Sequence, residues 1–411
     1  MTTGRRFWFS VIGISLTWTA SRVFMAYMWW SHGQFIDTDV MYYYNASLNP
    51  DATALAEYPT PILWLMRLLV FVCGHDSTVF FNVFIIAMLA LDALVTAVLF
   101  WRCSPLAAAY WIVFLALLGP IIWFRIDLIP AACVTLGLLE LQRSPRLSGA
   151  LLAVGAATKL WPALLILPTS GFGRPARRRL ASFAVAGGGL AVLSLVIDGW
   201  TRSVSPIMWQ TQRGLQIESL SATWAMILHA TRPGVVIVQM SQFNAYEVFS
   251  HVTDAGLTTA SVLMAVAIGF TLLQTYLLVV RPIIRHRAKA DVSYAMLLSV
   301  TAVVAAVIAA DKTFSPQYLM WLAGPLGLTL AFAKTSSQRR AAIVMAVLGC
   351  VVAGLTQSVF PLNYVSLIAN PLGGAGATTL LVARNACMAG LTLFAMVWSI
   401  RESDRAIRDI S

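Results

Sequence analysis

Apolar runs of roughly 17 to 25 residues recur along the chain, and a helix of that length crosses a hydrocarbon core of about 30 Å. The pattern predicts an all-α polytopic membrane protein with about 12 transmembrane segments, some of them short and re-entrant. We expect residues 1–411 to form a single integral-membrane domain. The predicted segments lie near residues 7–30, 78–101, 106–120, 126–142, 147–158, 160–169, 180–197, 254–280, 292–310, 313–333, 340–358 and 377–400.

Composition supports this class of protein. The chain is 59% hydrophobic and only 11% charged, which excludes an ordinary soluble domain and a disordered chain. Its net charge of +11 is explained by basic cytoplasmic loops, so no nucleic-acid partner is expected. The cysteines and histidines show no metal-ligand spacing, and no cofactor motif is present, so neither a metal nor a cofactor is predicted.

Segment 59–73 decides the topology, because it is apolar but short and contains Pro59 and Pro61. If it does not cross the membrane, the basic clusters all lie on the side of the N-terminus, as the positive-inside rule requires. We therefore expect an interfacial helix on the outer face of a plasma membrane, with both termini in the cytoplasm. The clusters lie at 102, 143–146, 174–179, 281–289, 334–340 and 401–408. Loops 31–77 and 198–253 are then external, and tail 401–411 is cytoplasmic.

The pair 147–158 and 160–169 is too short for two ordinary crossings. Basic residues flank the pair, and Lys-Leu-Trp-Pro (159–162) stands between its halves. Because proline and polar groups interrupt a helix at membrane depth only where protein or a cavity covers them, we expect a re-entrant excursion with an external apex.

Under this topology, ionisable and aromatic residues gather on the external side. Ionisable groups at membrane depth are costly, so several of them on one face predict a functional site. Solvated loop acids, membrane-anchoring tyrosines and ordinary ion pairs, such as Lys159 with Asp127, are the alternative explanation. The candidates are Asp37, Asp39, Tyr43, Glu57, Tyr58, Arg125, Asp127, Lys159, Arg213, Glu218, Lys312, Gln317 and Tyr318.

An external active site has no nucleotide-sugar supply, and the chain contains no phosphate-binding glycine motif. A sugar donor on that side would arrive attached to a lipid phosphate. Its transfer needs a carboxylate that deprotonates the acceptor hydroxyl and cations that stabilise the departing phosphate. The external aspartates, lysines and arginines supply both.

Several external motifs together resemble the GT-C glycosyltransferases of family 87, over residues roughly 1 to 400. The family contains actinobacterial polyprenyl-phosphate-mannose-dependent mannosyltransferases, including enzymes of phosphatidylinositol-mannoside synthesis, and related arabinofuranosyltransferases. The motifs are Thr-Asp-Val-Met-Tyr-Tyr-Tyr (38–44), Glu-Tyr-Pro-Thr-Pro (57–61), Ala-Thr-Lys-Leu-Trp-Pro (157–162), Arg-Gly-Leu-Gln-Ile-Glu-Ser-Leu (213–220) and Lys-Thr-Phe-Ser-Pro-Gln-Tyr-Leu-Met-Trp (312–321).

The resemblance implies roles for these residues. Asp39, four residues before Tyr43, corresponds to the catalytic base, with Asp37 as the second candidate. Lys159 is implied to contact the donor phosphate, and Arg213 and Lys312 are expected beside it. The other candidates are expected to bind substrate: Tyr43, Glu57, Tyr58, Arg125, Asp127, Glu218, Gln317 and Tyr318. Arg125 stands where the family has a glutamine, which leaves the acceptor open.

The sequence therefore predicts an inverting transfer of mannose from a polyprenyl-phosphate donor to a cell-envelope glycolipid or polysaccharide. The expected partners are this donor, the acceptor and membrane lipids. Two alternatives stay open at this point. One is an arabinofuranosyltransferase with a polyprenyl-phosphate-arabinose donor, and the other is a transporter or flippase for lipid-linked sugars.

Overall fold

The computed structural model describes residues 3–33, 35–49, 54–284, 292–369 and 374–408, and it is mostly helical. Its first helices are α1 (Thr3–His32), α2 (Thr38–Leu48), α3 (Thr60–Val72), α4 (Ser77–Arg102), α5 (Pro105–Leu118), α6 (Leu128–Leu139), α7 (Pro145–Thr158), α8 (Ile166–Thr169) and α9 (Gly173–Gln212). The others are α10 (Thr223–Thr231), α11 (Thr253–Thr275), α12 (Arg281–Ile284), α13 (Ser293–Ala310), α14 (Met320–Ala331), α15 (Ser336–Gln357), α16 (Tyr364–Ala369) and α17 (Ala375–Arg408).

Among the described residues, six helical stretches are long and apolar enough to cross a membrane. They are Ser77–Arg102, Gly173–Gln212, Thr253–Ile284, Ser293–Ala310, Ser336–Leu362 and Ala375–Arg408. The chain is thus a multi-pass helical membrane protein by length and composition. About 12 crossings, and the side on which each loop lies, stay predictions.

Helix α13 forms the centre of the bundle and packs against α11, α14 and α17. Within it, 83% of the residues are buried, compared with 6% of the most apolar window of α9. A helix that is apolar on every side is stable only when protein or lipid surrounds all of it. We infer that α13 is covered by protein and that α9 presents most of its apolar surface to lipid.

A buried ion pair joins α1 to α4. Arg22 donates from Nε and Nη2 to the two carboxylate oxygens of Asp92, at 2.8 and 2.7 Å. The indole nitrogens of Trp18 and Trp111 donate to the same carboxylate at 2.9 and 2.8 Å. The carboxylate therefore accepts four hydrogen bonds, which offset the cost of burying its charge.

The structure confirms two of the irregular features predicted from the sequence. Segment 59–73 forms helix α3, which begins at Thr60. The predicted pair 147–158 and 160–169 is interrupted at Lys159, whose extended backbone ends α7, and a 3₁₀ turn over Trp161–Leu165 precedes α8. The interfacial position of α3 and the re-entrant path of α7 and α8 remain predictions.

One expectation needs correction, and two other predicted regions contain regular structure. The protein is not entirely helical, because strands β1 (Ile237–Met240) and β2 (Tyr246–Phe249) form an antiparallel hairpin. Predicted loop 198–253 is largely structured, since α9 kinks at Gly199 (φ +75°) and then continues to Gln212. Predicted tail 401–411 is helical up to Arg408, because α17 has no breaking residue there. Residues 34 and 50–53 of loop 31–77, 285–291 of cluster 281–289, and 409–411 of the tail lie outside the described residues.

Candidate active site

The predicted site residues converge on one cavity of about 310 Å³. It lies where α7, α9 and α13 end, and α2, the β1–β2 hairpin and residues 315–318 complete its wall. Segments that are hundreds of residues apart in the chain thus meet there. The predicted residues that line the cavity are Asp39, Glu57, Tyr58, Arg125, Lys159, Arg213, Glu218, Gln317 and Tyr318.

Asp39 is held in place by an arginine. Its Oδ2 lies 3.0 Å from Nε of Arg125, and Arg125 donates from Nη1 to the carbonyl oxygens of Ile36 at 2.8 Å and Phe124 at 3.1 Å. Burial raises the pKa of the Asp39 carboxyl, and the neighbouring Arg125 charge lowers it in part. Asp39 is therefore an oriented carboxylate with more basic character than a solvated aspartate.

Lys159 is ion-paired with Asp127 and surrounded by aromatic rings. Its Nζ is 2.6 Å from Oδ1 of Asp127, which also accepts a hydrogen bond from Nε1 of Trp321 at 2.9 Å. The ammonium group is 4.3 Å from the ring centre of Tyr318 and 5.9 Å from that of Tyr58. Cation–π contacts and a buried carboxylate together keep this lysine charged and confined.

Glu57 faces the cavity between these two pairs. Its Oε1 accepts a hydrogen bond from the hydroxyl of Tyr42 at 2.7 Å, and its buried Oε2 has no hydrogen-bond partner among the described residues. Burial raises the pKa of the Glu57 carboxyl. The next residue, Tyr58, has its hydroxyl 3.3 Å from that of Tyr43.

Residues 213–216 run beside the hairpin as an extended segment, and a turn over residues 216–219 follows. The amide of Ile217 donates to the carbonyl of Tyr246 at 3.1 Å, and the amide of Val248 donates to the carbonyl of Leu215 at 2.9 Å. At Gly214 an added Cβ would lie 2.5 Å from Oε2 of Glu247, so a larger residue would displace the Glu247 side chain. The segment extends the hairpin and presents its polar side chains to the cavity.

Four predicted residues do not line the cavity. Asp37 accepts a hydrogen bond from the indole of Trp29 at 3.1 Å. Tyr43 and Asp127 are fully buried behind the cavity wall. Lys312 donates from Nζ to the backbone carbonyl of Arg213 at 2.5 Å, so its ammonium group caps the end of α9.

Sequence reasoning missed a second part of the wall. The sequence does not predict the hairpin, and the predicted apolar segment 340–358 ends before Phe360 and Tyr364. In the sequence, Tyr42 is one of a cluster of tyrosines. Its hydrogen bond to Glu57 depends on the fold. The wall residues outside the candidate set are Phe35, Thr38, Tyr42, Trp209, Gln210, Gln216, Met240, Gln242, Phe243, Asn244, Ala245, Tyr246, Ser315, Pro316, Phe360 and Tyr364.

A helical membrane protein whose polar cavity joins carboxylates, cations and aromatic rings has the features of an enzyme that handles a lipid-linked substrate. The sequence model of glycosyltransferase family 87 matches residues 58–316, and the chain belongs to this family. It is a glycosyltransferase of a GT-C family that depends on polyprenyl-phosphate sugars. No curated protein sequence matches the chain significantly.

Family membership favours the enzyme over the transporter alternative. The matched residues include Lys159, Arg213 and Glu218, whereas Asp39 and Glu57 precede the match. Within the described part of the chain, no group of three or more His, Cys, Asp and Glu side chains is placed to hold a metal ion.

Proposed function

We propose that the protein transfers a mannosyl group from a polyprenyl-phosphate donor to a hydroxyl of a cell-envelope glycolipid or polysaccharide, with inversion at the anomeric carbon. The observation that carries the proposal is that the Asp39 carboxylate and the Arg213 guanidinium line one cavity. A base and a phosphate-binding cation are the two groups that this reaction needs from the protein.

Asp39 acts as the base. The acceptor oxygen attacks the anomeric carbon, its proton moves to the Asp39 carboxylate, and the bond between the anomeric carbon and the phosphate oxygen breaks. The lipid phosphate leaves with the bonding electrons, so a β-linked donor gives an α-glycoside. Arg125 supports this role, because its guanidinium lies 3.0 Å from the Asp39 carboxylate and attracts the carboxylate to this position.

Arg213 binds the donor phosphate. Of the three cations that line the cavity, Arg125 and Lys159 are ion-paired with Asp39 and Asp127. Arg213 forms no salt bridge with any residue that the structure describes. An arginine with free donors can bind two phosphate oxygens at once. Lys159 adds its charge beside this position, and Lys312 contributes by holding the backbone of Arg213.

Tyr58, Gln317 and Tyr318 bind the donor sugar. The rings of Tyr58 and Tyr318 line the cavity beside Lys159, and an aromatic face packs against the C–H face of a pyranose. We place the cavity on the outer face of the plasma membrane and both termini in the cytoplasm. The distribution of basic residues supports this orientation.

The test is transfer of radiolabelled mannose from polyprenyl-phosphate mannose to an envelope glycolipid extract by the purified protein in lipid nanodiscs. Asp39→Asn should abolish transfer, because the amide cannot take the proton. Asp37→Asn is the matched control and should retain activity, since Asp37 contacts Trp29 outside the cavity. Wild-type turnover by Asp39→Asn would overturn the assignment. Competition with polyprenyl-phosphate arabinose tests the sugar, and preference for arabinose would overturn mannose.

A further inference from the structure

The cavity has a second end with a different chemical character. Gln216, Glu218, Tyr246, Phe360 and Tyr364 form it. No cation lines this end among the described residues, whereas Arg125, Lys159 and Arg213 line the rest. Arg213 lies at the boundary, with Nη2 3.5 Å from Oε1 of Gln216. The two ends are thus continuous and suited to different ligands.

The backbone fixes the two polar side chains at this end. Leu215 and Ile217, their neighbours in the chain, are fully buried. The amide of Gln216 donates to the carbonyl of Lys312 at 3.0 Å, and the carbonyl of Gln216 accepts from the amide of Ser219 at 3.1 Å, which closes a turn over residues 216–219. Both polar side chains line the cavity from this turn.

Helix α17 holds the Glu218 backbone from behind. Nη2 of Arg384 donates to the Glu218 carbonyl at 2.7 Å, and Asn385 donates to the hydroxyl of Thr223 at 2.8 Å. Neither Arg384 nor Asn385 lines the cavity. The Glu218 backbone is therefore anchored to α17 from outside the cavity.

Glu218 nevertheless has an unsatisfied hydrogen-bond acceptor. The residue is 1% exposed, and its Oε1 has no hydrogen-bond partner among the described residues. A buried carboxylate oxygen without a partner costs free energy that a bound donor group recovers. Sugar hydroxyls are such donors. The Glu218 carboxylate accepts hydrogen bonds and repels a phosphate, so this end disfavours the anionic part of the lipid donor.

Aromatic rings complete the end. The ring of Tyr364 packs edge to face against Phe360, with ring centres 4.9 Å apart, and against Tyr246 at 5.8 Å. This arrangement gives a rigid apolar wall next to the polar oxygens of Glu218. Aromatic faces beside hydroxyl-binding groups fit the two surfaces of a pyranose, which is apolar on its C–H face and polar at its rim.

We propose that Gln216, Glu218 and Tyr364 form the subsite for the terminal sugar of the acceptor, and that this sugar is an uncharged pyranose. The inference rests on the proposed function, which supplies the two-substrate reaction. The donor then occupies the end of the cavity with Lys159 and Arg213, and the acceptor occupies the end with Glu218. Glu218 binds substrate in this scheme and takes no proton from the reacting hydroxyl.

The experiment uses octyl α-mannopyranoside as the acceptor probe and measures its KM, its Kd without donor, and the KM of polyprenyl-phosphate mannose. Glu218→Leu removes the hydrogen-bonding oxygens at similar size, and Glu218→Gln keeps one of them. We expect Glu218→Leu to raise both acceptor constants tenfold or more, with a smaller rise for Glu218→Gln and a donor KM within twofold of wild type. Glu247→Gln is the matched control: its carboxylate accepts from the Gly214 amide outside the cavity, so both acceptor constants should be unchanged.

The outcomes separate this inference from the proposed function. Unchanged acceptor KM and Kd in both Glu218 variants would overturn the subsite, as would a selective rise in donor KM. If wild-type protein transfers no sugar, the proposed function fails, and the Kd of octyl mannoside in wild type and Glu218→Gln still decides the subsite. If Glu218→Leu does not fold, Glu218→Gln gives the answer, because it preserves shape.

Discussion

The ammonium group of Lys159 and the carboxylate of Asp127 form a 2.6 Å ion pair, and the Asp127 side chain is fully buried. The lysine reaches the cavity while its partner lies beneath the wall. Because the carboxylate also accepts a hydrogen bond from the Trp321 indole, one buried group holds both the cation of the donor end and the ring that stacks on Tyr318.

Removing this carboxylate should therefore damage stability and donor binding together. Asp127→Asn leaves Lys159 without a counter-charge in a buried site, and loss of one partner of such a pair typically costs about 3–5 kcal/mol. We expect a lower melting temperature in detergent and a higher donor KM in the folded fraction. Trp321→Phe keeps the ion pair and should be milder in both measurements. An unchanged melting temperature in Asp127→Asn would contradict the role of the pair.

Arg213 and Lys312 should differ in effect although both carry one positive charge. Arg213→Met should raise the donor KM about tenfold or more, since a charge-assisted hydrogen bond contributes roughly 1.5–3 kcal/mol. Lys312→Met removes a backbone contact behind Arg213 and should raise the donor KM less. Steady-state kinetics with varied donor measures both. A larger effect at Lys312 would place the phosphate on the lysine.

Arg125 should control the pH dependence of the reaction. Its charge lowers the pKa of Asp39 against the raising effect of burial, so Arg125→Met should raise that pKa further. A base must be deprotonated to act, and the acid limb of the kcat/KM profile should therefore move to higher pH. The measurement is the profile of wild type and variant under identical conditions. A variant that loses activity equally at every pH would indicate only structural damage.

Glu218 should make stability depend on pH. Burial raises the pKa of its carboxyl from 4.5 to about 7, so between these values the folded protein binds more protons than the unfolded chain. Stability contributed by this group is full below pH 4.5, falls as the pH rises to 7 and is constant above it. At pH 8, Glu218→Gln should raise the melting temperature, and the unfolding free energy should rise by at most roughly 3 kcal/mol. At pH 4.5 the substitution should change the melting temperature little. Equal shifts at both pH values would contradict this assignment.

The sequence predicts the charged residues of the cavity but not the backbone contacts that support them. Lys159 was identified because a lysine beside Trp-Pro interrupts a helix, and that local signal does not depend on the rest of the fold. Its alternative pairing with Asp127 is present in the structure. Arg213 and Glu218, five residues apart, lie in an extended stretch and the turn that follows it, and backbone hydrogen bonds to the hairpin support this stretch. The hairpin residues that bond to this stretch lie about 30 positions further along the chain, and local sequence patterns do not encode such distant contacts.

The second end of the cavity was equally hidden in the sequence. Phe360 and Tyr364 follow an apolar helix, and in sequence their rings resemble ordinary interfacial anchors. Their position beside Glu218 depends on the packing of α15, α16 and α17. Burial of Asp39 against Arg125 likewise required α2 to fold over the turn at 119–127.

The backbone contact between residues 213–216 and Lys312 has an evolutionary consequence. The Lys312 ammonium group donates to the Arg213 carbonyl, and the Gln216 amide donates to the Lys312 carbonyl. These segments therefore move together, although about a hundred positions separate them in the chain. A change in the length or rigidity of either segment would displace the phosphate-binding arginine. Among relatives, insertions and substitutions in the two segments should therefore occur together, and transplanting one segment alone between homologues should fail where exchanging both succeeds.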